Sequence, residues 1–216
     1  MTIDRTSDRL AMYRAMRDSV PGLDAMYRLM SALIASHAET RARILIVGAG
    51  GGREIEELLK QDIAVEITAI DPTKTNLETA RLATETCRSE SNVTFICGTI
   101  ADLQRGAPFD VAPSVLVMHH IPDDGAKLAY LKDIRDRLVD SGLLIHADVC
   151  FEQTEDFDCL IPAYRAHARL VGAAPDATRL ELEAIPQLPV ASDARTKALI
   201  AEAGLTQPQE VFRTLW

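Results

Sequence analysis

Ile44-Leu45-Ile46-Val47 is a short, continuously apolar run that ends in Gly48-Ala49-Gly50-Gly51-Gly52. A run apolar at every position suits a strand buried on both faces, the situation of a strand inside a parallel sheet. Glycines directly after it let the backbone turn tightly and come close to a ligand. Arg53 to Lys60 then carries Ile55, Leu58 and Leu59 on one side, so the turn opens into a helix whose first amides form an electropositive end. Strand, glycine turn and helix in that order demand a second parallel strand, and Val65 to Ile70 supplies it.

The alternation continues along the chain. A helix is expected near Thr73 to Cys87, a strand at Val93 to Cys97 and another from Val111 to Val117. A helix holding Leu128, Leu131, Ile134 and Leu138 follows, then a strand from Leu143 to Val149. Such repetition predicts a doubly wound, mostly parallel Rossmann-like α/β sheet of six or seven strands.

Ahead of the first strand, Leu23, Met26, Tyr27, Met30, Leu33 and Ile34 recur with helical spacing, and Pro21-Gly22 separates them from an earlier helical stretch around Leu10 to Met16. Phe151 to Ser192 breaks the rhythm with four prolines and helical stretches at Cys159 to Val171 and Arg179 to Ala184. Asp193 to Ala203 resumes a helix, and Glu210 to Leu215 reads as a final strand. The expected layout is one domain: N-terminal helices (1–42), a ligand-binding core (43–150), a lid or insert (151–192), and a last helix and strand (193–216). A lone terminal strand leaves a bare sheet edge, which predicts a homodimer.

The 216 residues carry a formal net charge of -9, and 47% are hydrophobic. That balance fits a folded domain and disfavours a phosphate backbone as partner. No apolar run approaches the roughly 18–20 residues of a membrane span, and the first residues have no apolar signal segment; the expectation is a cytoplasmic protein without a membrane partner. Cys87, Cys97, Cys150 and Cys159 contain no Cys-x-x-Cys pair and are expected as reduced packing residues rather than metal ligands. Met12, Met16, Met26 and Met30 are expected in the core.

The glycine spacing is G-x-G-x-G. A dinucleotide fingerprint, G-x-G-x-x-G, would need its third glycine at Arg53. A nucleotide-like ligand without a pyrophosphate is therefore favoured. Asp71 stands at the tip of the second strand, where a carboxylate can accept from both hydroxyls of a ribose. It could equally cap the helix that begins after Pro72.

In order and spacing, GAGGG, AIDPT, FICGTIADL, FDVAPSVLVMHHIPDD and GLLIHAD resemble the class I S-adenosylmethionine-dependent methyltransferases, in particular small bacterial ones. The resemblance implies that Gly48, Ala49 and Gly50 meet the methionine and ribose parts of S-adenosyl-L-methionine. It also implies Asp71 at the ribose, Pro72, Thr99 and Ile100 at the adenine, and Val115 and Leu116 at the methionine end, with S-adenosyl-L-homocysteine as product. Ile46 and Thr99 stand where that family commonly has acidic residues. Ser19-Val20-Pro21-Gly22 is similar to the segment before the first strand in enzymes that form carboxymethoxyuridine in tRNA with a carboxylated cofactor. Leu23 replaces their tyrosine there, and Arg179 lies in the region of their carboxylate-binding arginine.

Methyl transfer is a displacement at a sulfonium, so a base is needed only where the acceptor must lose a proton. His119 and His120 are the candidates, with His146, Asp148, Tyr164 and His167 as further titratable groups. A helix cap or core packing is the alternative for the histidines. The expected activity is methyl transfer to a small-molecule acceptor. Competing readings are a non-catalytic S-adenosylmethionine-binding protein, an NAD-dependent oxidoreductase, and a tRNA-modifying transferase.

Overall fold

The computed structural model describes residues 19–38, 41–61, 63–85 and 92–215. The elements run α1 (Leu23–His37), β1 (Arg43–Val47), α2 (Arg53–Leu58), β2 (Glu66–Asp71), α3 (Lys74–Thr84), β3 (Asn92–Cys97), β4 (Phe109–Val115), α4 (Ala126–Arg135) and β5 (Leu138–Ala147). The insert contributes α5 (Thr154–Asp158), α6 (Ile161–Leu170) and α7 (Pro175–Ala184), and α8 (Asp193–Glu202) follows.

All pairings in the sheet are parallel and the strand order is β3-β2-β1-β4-β5. β1 is buried on both faces, as its unbroken apolar run requires. Ile44 and Ile46 enter the core formed with α1, α2 and α3, while Leu45 and Val47 enter the core formed with α4 and α8. A third apolar cluster joins Phe157, Tyr164, Ala168, Leu182 and Ile185 within the insert. Chain order departs from β1 in both directions, to β2 on one side and to β4 on the other. That reversal opens a crevice at the carboxyl ends of the strands, where doubly wound sheets take their ligands. This is the class I Rossmann-like α/β fold.

Several boundaries differ from expectation for identifiable reasons. β4 ends at Val115 rather than Val117 because Leu116 turns into the left-handed region, at φ 57°. α4 ends at Arg135, and Leu138 opens β5 instead of closing the helix. The β4 to β5 register jumps from Phe109↔Leu138 to Val111↔Leu143, so extra residues of β5 bulge out around Gly142. Pro113 sits inside β4, next to β1, where it has no N–H to donate. The registered β1 to β4 pairs are Ile44↔Val111 and Val47↔Ser114, on either side of it.

The expected strand at Glu210 to Leu215 is a correction: residues 205–215 form no regular structure, and among the described residues the sheet has five strands rather than six or seven. This segment is held elsewhere. Thr214 Oγ1 donates to the Pro21 carbonyl at 2.7 Å, the Phe212 ring approaches Gly22, and Leu215 packs on the insert's apolar cluster. Cys97 and Cys159 are a second correction, since both are exposed instead of packed in the core. The helix expected at Leu10 to Met16, with Met12 and Met16, and Cys87 lie outside the described residues. No helix among the described residues is long and apolar enough to cross a membrane.

Candidate active site

The glycine turn is fastened to β2 by its own backbone. Gly48 N and Ala49 N both donate to the Ile70 carbonyl, at 2.8 and 3.0 Å, and Gly50 N donates to Asp71 Oδ2 at 2.9 Å. Two of the glycines are required for different reasons. At Gly52 (φ 84°), a Cβ would sit 2.8 Å from Ala80 Cα, so only glycine lets α2 and α3 approach this closely. At Gly50 (φ 48°), a Cβ would meet only the Gly48 carbonyl, at 3.8 Å; beyond that lies open space. Gly50 therefore presents bare backbone to the crevice.

Asp71 is 5% exposed and fully used by its surroundings. Besides Gly50 N, its carboxylate accepts from Thr73 N at 2.8 Å and Asn76 Nδ2 at 3.2 Å, so it braces the turn that leads into α3 as well as tethering the glycine turn. The N-cap of α3 itself is Thr73. After β3, Thr99 is fixed by Asp102, whose Oδ2 accepts from Thr99 N at 2.8 Å and Thr99 Oγ1 at 2.7 Å. These two bonds hold the Asp102 carboxyl below its ordinary range. A carboxylate therefore stands beside Thr99 although Thr99 itself has none.

All nine residues expected at a cofactor, Gly48, Ala49, Gly50, Asp71, Pro72, Thr99, Ile100, Val115 and Leu116, line one cleft of about 1830 Å³. Leu116 is a bulky residue held at positive φ on its wall, a conformation that persists only where the surroundings enforce it. Here Leu116 N donates to the Ala147 carbonyl at 2.8 Å.

His119 and His120 share the turn after β4 but sit in different environments. His119 is buried: its backbone N donates to Asp148 Oδ2 at 2.8 Å, and its ring Nδ1 bonds Asp148 Oδ1. His120 is exposed on the cleft wall, with its ring centroid 4.1 Å from that of His119. Partial burial, and secondarily the neighbouring His119, pushes the His120 imidazole below its usual range. Lys127 lies beneath the same turn, fully buried, and donates to the Met118 carbonyl at 2.6 Å. Burial lowers its pKa as well. Alternation along β5 puts His146 on the same face as Asp148; both its ring nitrogens are buried without a hydrogen-bond partner, and burial lowers its pKa.

The insert's titratable groups are not gathered at this turn. Tyr164 is wholly buried and bonds Ser19 Oγ at 2.8 Å and Glu181 Oε2; burial raises both the phenol and the Glu181 carboxyl. Arg179 is paired with Glu183 at 3.1 Å on the helix surface, and His167 lies in α6. Among the described residues, no group of three or more His, Cys, Asp or Glu side chains could hold a metal ion.

Sequence reasoning missed Lys127, Asp102 and Glu54. Glu54 lies in the first turn of α2, 4% exposed and on the cleft wall. Burial, its dominant influence, pushes its carboxyl up to about 8.

Comparison with known proteins shows what the chain is similar to. Residues 44–142 match the methyltransferase-domain family model. Over that stretch, just under half of its length, the chain is similar to class I S-adenosylmethionine-dependent methyltransferases. Two ubiquinone biosynthesis O-methyltransferases align with it. That of Bradyrhizobium diazoefficiens is 25% identical over 103 residues, covering 48% of this chain and 38% of that protein. That of Rhodopseudomonas palustris is 28% identical over 87 residues, covering 40% and 33%. The matches thus span little more than a third of those relatives' length. The fold of the methyltransferase domain recurs in a crystal structure from Nostoc punctiforme assigned to the O-methyltransferases. There the TM-score is 0.62 at 18% identity, covering 84% of this chain and 50% of that one. It recurs also in the plantazolicin methyltransferase BpumL, solved with a monoazolic desmethylPZN analog and SAH. That match has a TM-score of 0.60 at 15% identity, covering 91% of this chain and 67% of BpumL.

Proposed function

We propose that this chain transfers the methyl group of S-adenosyl-L-methionine to a small-molecule acceptor by direct displacement, releasing S-adenosyl-L-homocysteine. The observation that carries the reading is the convergence of the glycine turn, Asp71, Thr99-Ile100 and Val115-Leu116 on one cleft at the switch point of the sheet. The residues present fit the cofactor: Gly50 leaves room for close approach, and no third glycine at Arg53 favours a pyrophosphate. The Gly48-Ala49-Gly50 backbone would hold the methionine and ribose portions, with Asp71 at the ribose hydroxyls. Pro72, Thr99 and Ile100 would hold the adenine, and Val115 and Leu116 the methionine end. Bound there, the cofactor supplies an electrophilic methyl on a sulfonium.

The chain's own task is then alignment and proton removal. His120, on the cleft wall and with a depressed pKa, is largely neutral at neutral pH and can take a proton from an acceptor hydroxyl. His119, locked by Asp148, fixes the ring against which His120 rests. The O-methyltransferase names of the matched relatives favour an oxygen acceptor. Leu23, Met26, Met30 and Leu33 of α1 face the cleft together with Leu180 and Leu188 of the insert, so the acceptor is an apolar or aromatic molecule. The outer edge of β5 has no strand partner among the described residues, which supports a homodimer. A cytoplasmic setting fits the free thiols of Cys97, Cys150 and Cys159.

Incubation with S-adenosyl-L-methionine and a panel of phenols and hydroxylated aromatics tests the reading, with S-adenosyl-L-homocysteine as readout. Turnover with an apolar hydroxylated acceptor is expected. Binding of the cofactor without turnover on any acceptor class would reduce the chain to a binding protein.

A further inference from the structure

S-adenosyl-L-methionine carries two positive charges at its methionine end, the sulfonium and the α-ammonium, against a single α-carboxylate, so this end is net cationic. A cleft that holds it out of water needs an anionic partner for the excess positive charge. Among the buried carboxyls of the cleft, most are already committed. Asp71 accepts three hydrogen bonds, Asp148 is bound to His119 and Val149 N, and Glu181 to Ser19 and Tyr164. Glu56 lies 3.8 Å from the Arg53 guanidinium.

Glu54 differs. Its place in the first turn of α2 is set by the glycine turn immediately before it, and it lines the cleft at 4% exposure. Its carboxyl accepts from its own backbone N–H and feels the Arg53 charge, but no ion pair or hydrogen bond joins it to another side chain among the described residues. Arg53, the neighbouring cation, is turned to Asp24 of α1 and Glu57 of its own helix, both at 2.8 Å. From β2 the charged group that acts on Glu54 is Asp71, a like charge.

We infer that the Glu54 carboxyl is the counter-charge for the cationic methionine end of S-adenosyl-L-methionine. The inference rests on the cofactor reading above. In the free protein, desolvation keeps this carboxyl largely protonated at neutral pH. When the cationic end arrives, the O–H bond breaks, the proton passes to solvent, and the carboxylate remains beside the ammonium and sulfonium. Cofactor binding is therefore coupled to proton release at pH 7.

The sign for stability follows from the same shift. A carboxyl raised above its ordinary value of 4.5 to about 8 favours the folded state most at low pH, and that contribution is lost as pH rises through about 8. Glu54→Gln retains the shape of the neutral acid. The free variant should accordingly fold, and above pH 8 it should melt at a higher temperature than the parent.

Titration calorimetry at pH 7 in buffers of differing ionisation enthalpy tests the coupling. The ligands are S-adenosyl-L-methionine and 5′-methylthioadenosine, which keeps the adenosine and thioether but lacks the sulfonium charge and the whole α-amino-acid group. Proton release is expected with S-adenosyl-L-methionine alone. Glu54→Gln should abolish that release and weaken S-adenosyl-L-methionine by at least roughly tenfold, leaving 5′-methylthioadenosine unchanged. Binding of both ligands without proton release, or equal weakening of both by the variant, overturns the role of Glu54 while the cofactor site stands. Failure of both ligands to bind the parent protein removes the cofactor site and the inference with it.

Discussion

Gly50 N donates to Asp71 Oδ2 across 2.9 Å, tying the third residue of the glycine turn to the tip of the neighbouring strand. The same carboxylate accepts from Thr73 N, the residue from which α3 begins. One buried side chain thus sets the turn, the strand tip and the start of a helix in a fixed relation at the mouth of the cleft.

Asp71→Asn should expose this coupling. The amide keeps one acceptor oxygen but loses the charge at the α3 N-terminus, and its NH₂ opposes one of the donors that Asp71 satisfies. A loss of about 1–3 kcal/mol is expected in urea denaturation, together with weaker binding of S-adenosyl-L-homocysteine.

Two neighbouring glycines should separate stability from ligand binding. Gly52→Ala drives a Cβ against the Ala80 backbone at positive φ, and about 2–4 kcal/mol of stability should be lost. Gly50→Ala meets nothing closer than 3.8 Å, so about 1 kcal/mol is expected from backbone strain alone. Its new methyl nevertheless occupies the space next to the ligand. Melting curves and S-adenosyl-L-homocysteine titrations on both variants should rank them in opposite orders.

The pH dependence of turnover should report His120. A depressed imidazole pKa means the neutral, proton-accepting form persists to lower pH than in an ordinary histidine. The acid limb of the kcat profile is therefore expected below pH 6.5, and rates should fall only as pH drops through it. His120→Asn should remove that limb and reduce kcat by about 10²–10⁴-fold, with cofactor affinity retained. An unchanged profile would assign the limb to another group.

Lys127 should behave as a structural cation. Lys127→Met leaves the Met118 carbonyl without its buried donor, which is expected to cost about 1–3 kcal/mol in thermal or urea denaturation. Loss of activity without loss of stability would instead place Lys127 in the chemistry.

Much of this architecture was legible because its signals were continuous in sequence. Ile44 to Val47 is apolar at every position and is buried on both faces, and the strand tips that follow bring Gly48 to Leu116 to one cleft. Glu210 to Leu215 misled because a short run holding Val211, Phe212 and Leu215 reads as a strand, while its contacts are set by distant parts of the chain. Thr214 and Phe212 are fixed to the Pro21-Gly22 turn, almost two hundred residues away in sequence, rather than to a sheet edge. Glu54 was hidden for a related reason. In Arg-Glu-Ile-Glu-Glu-Leu the acidic residues read as a solvated helix face, yet Glu54, Glu56 and Glu57 are all buried once α1 and α3 pack around this helix. His119 and His120 are adjacent and chemically identical, and their separation into a buried ring held by Asp148 and a ring on the cleft wall depends on β5.

Titration calorimetry with S-adenosyl-L-homocysteine, and separately with NAD, on the parent protein and Asp71→Ala tests the central claim most directly. The account predicts that S-adenosyl-L-homocysteine binds, that the variant weakens it by at least roughly tenfold, and that NAD gives no heat. Heat from NAD with silence from S-adenosyl-L-homocysteine would contradict it and turn the cleft into a redox site.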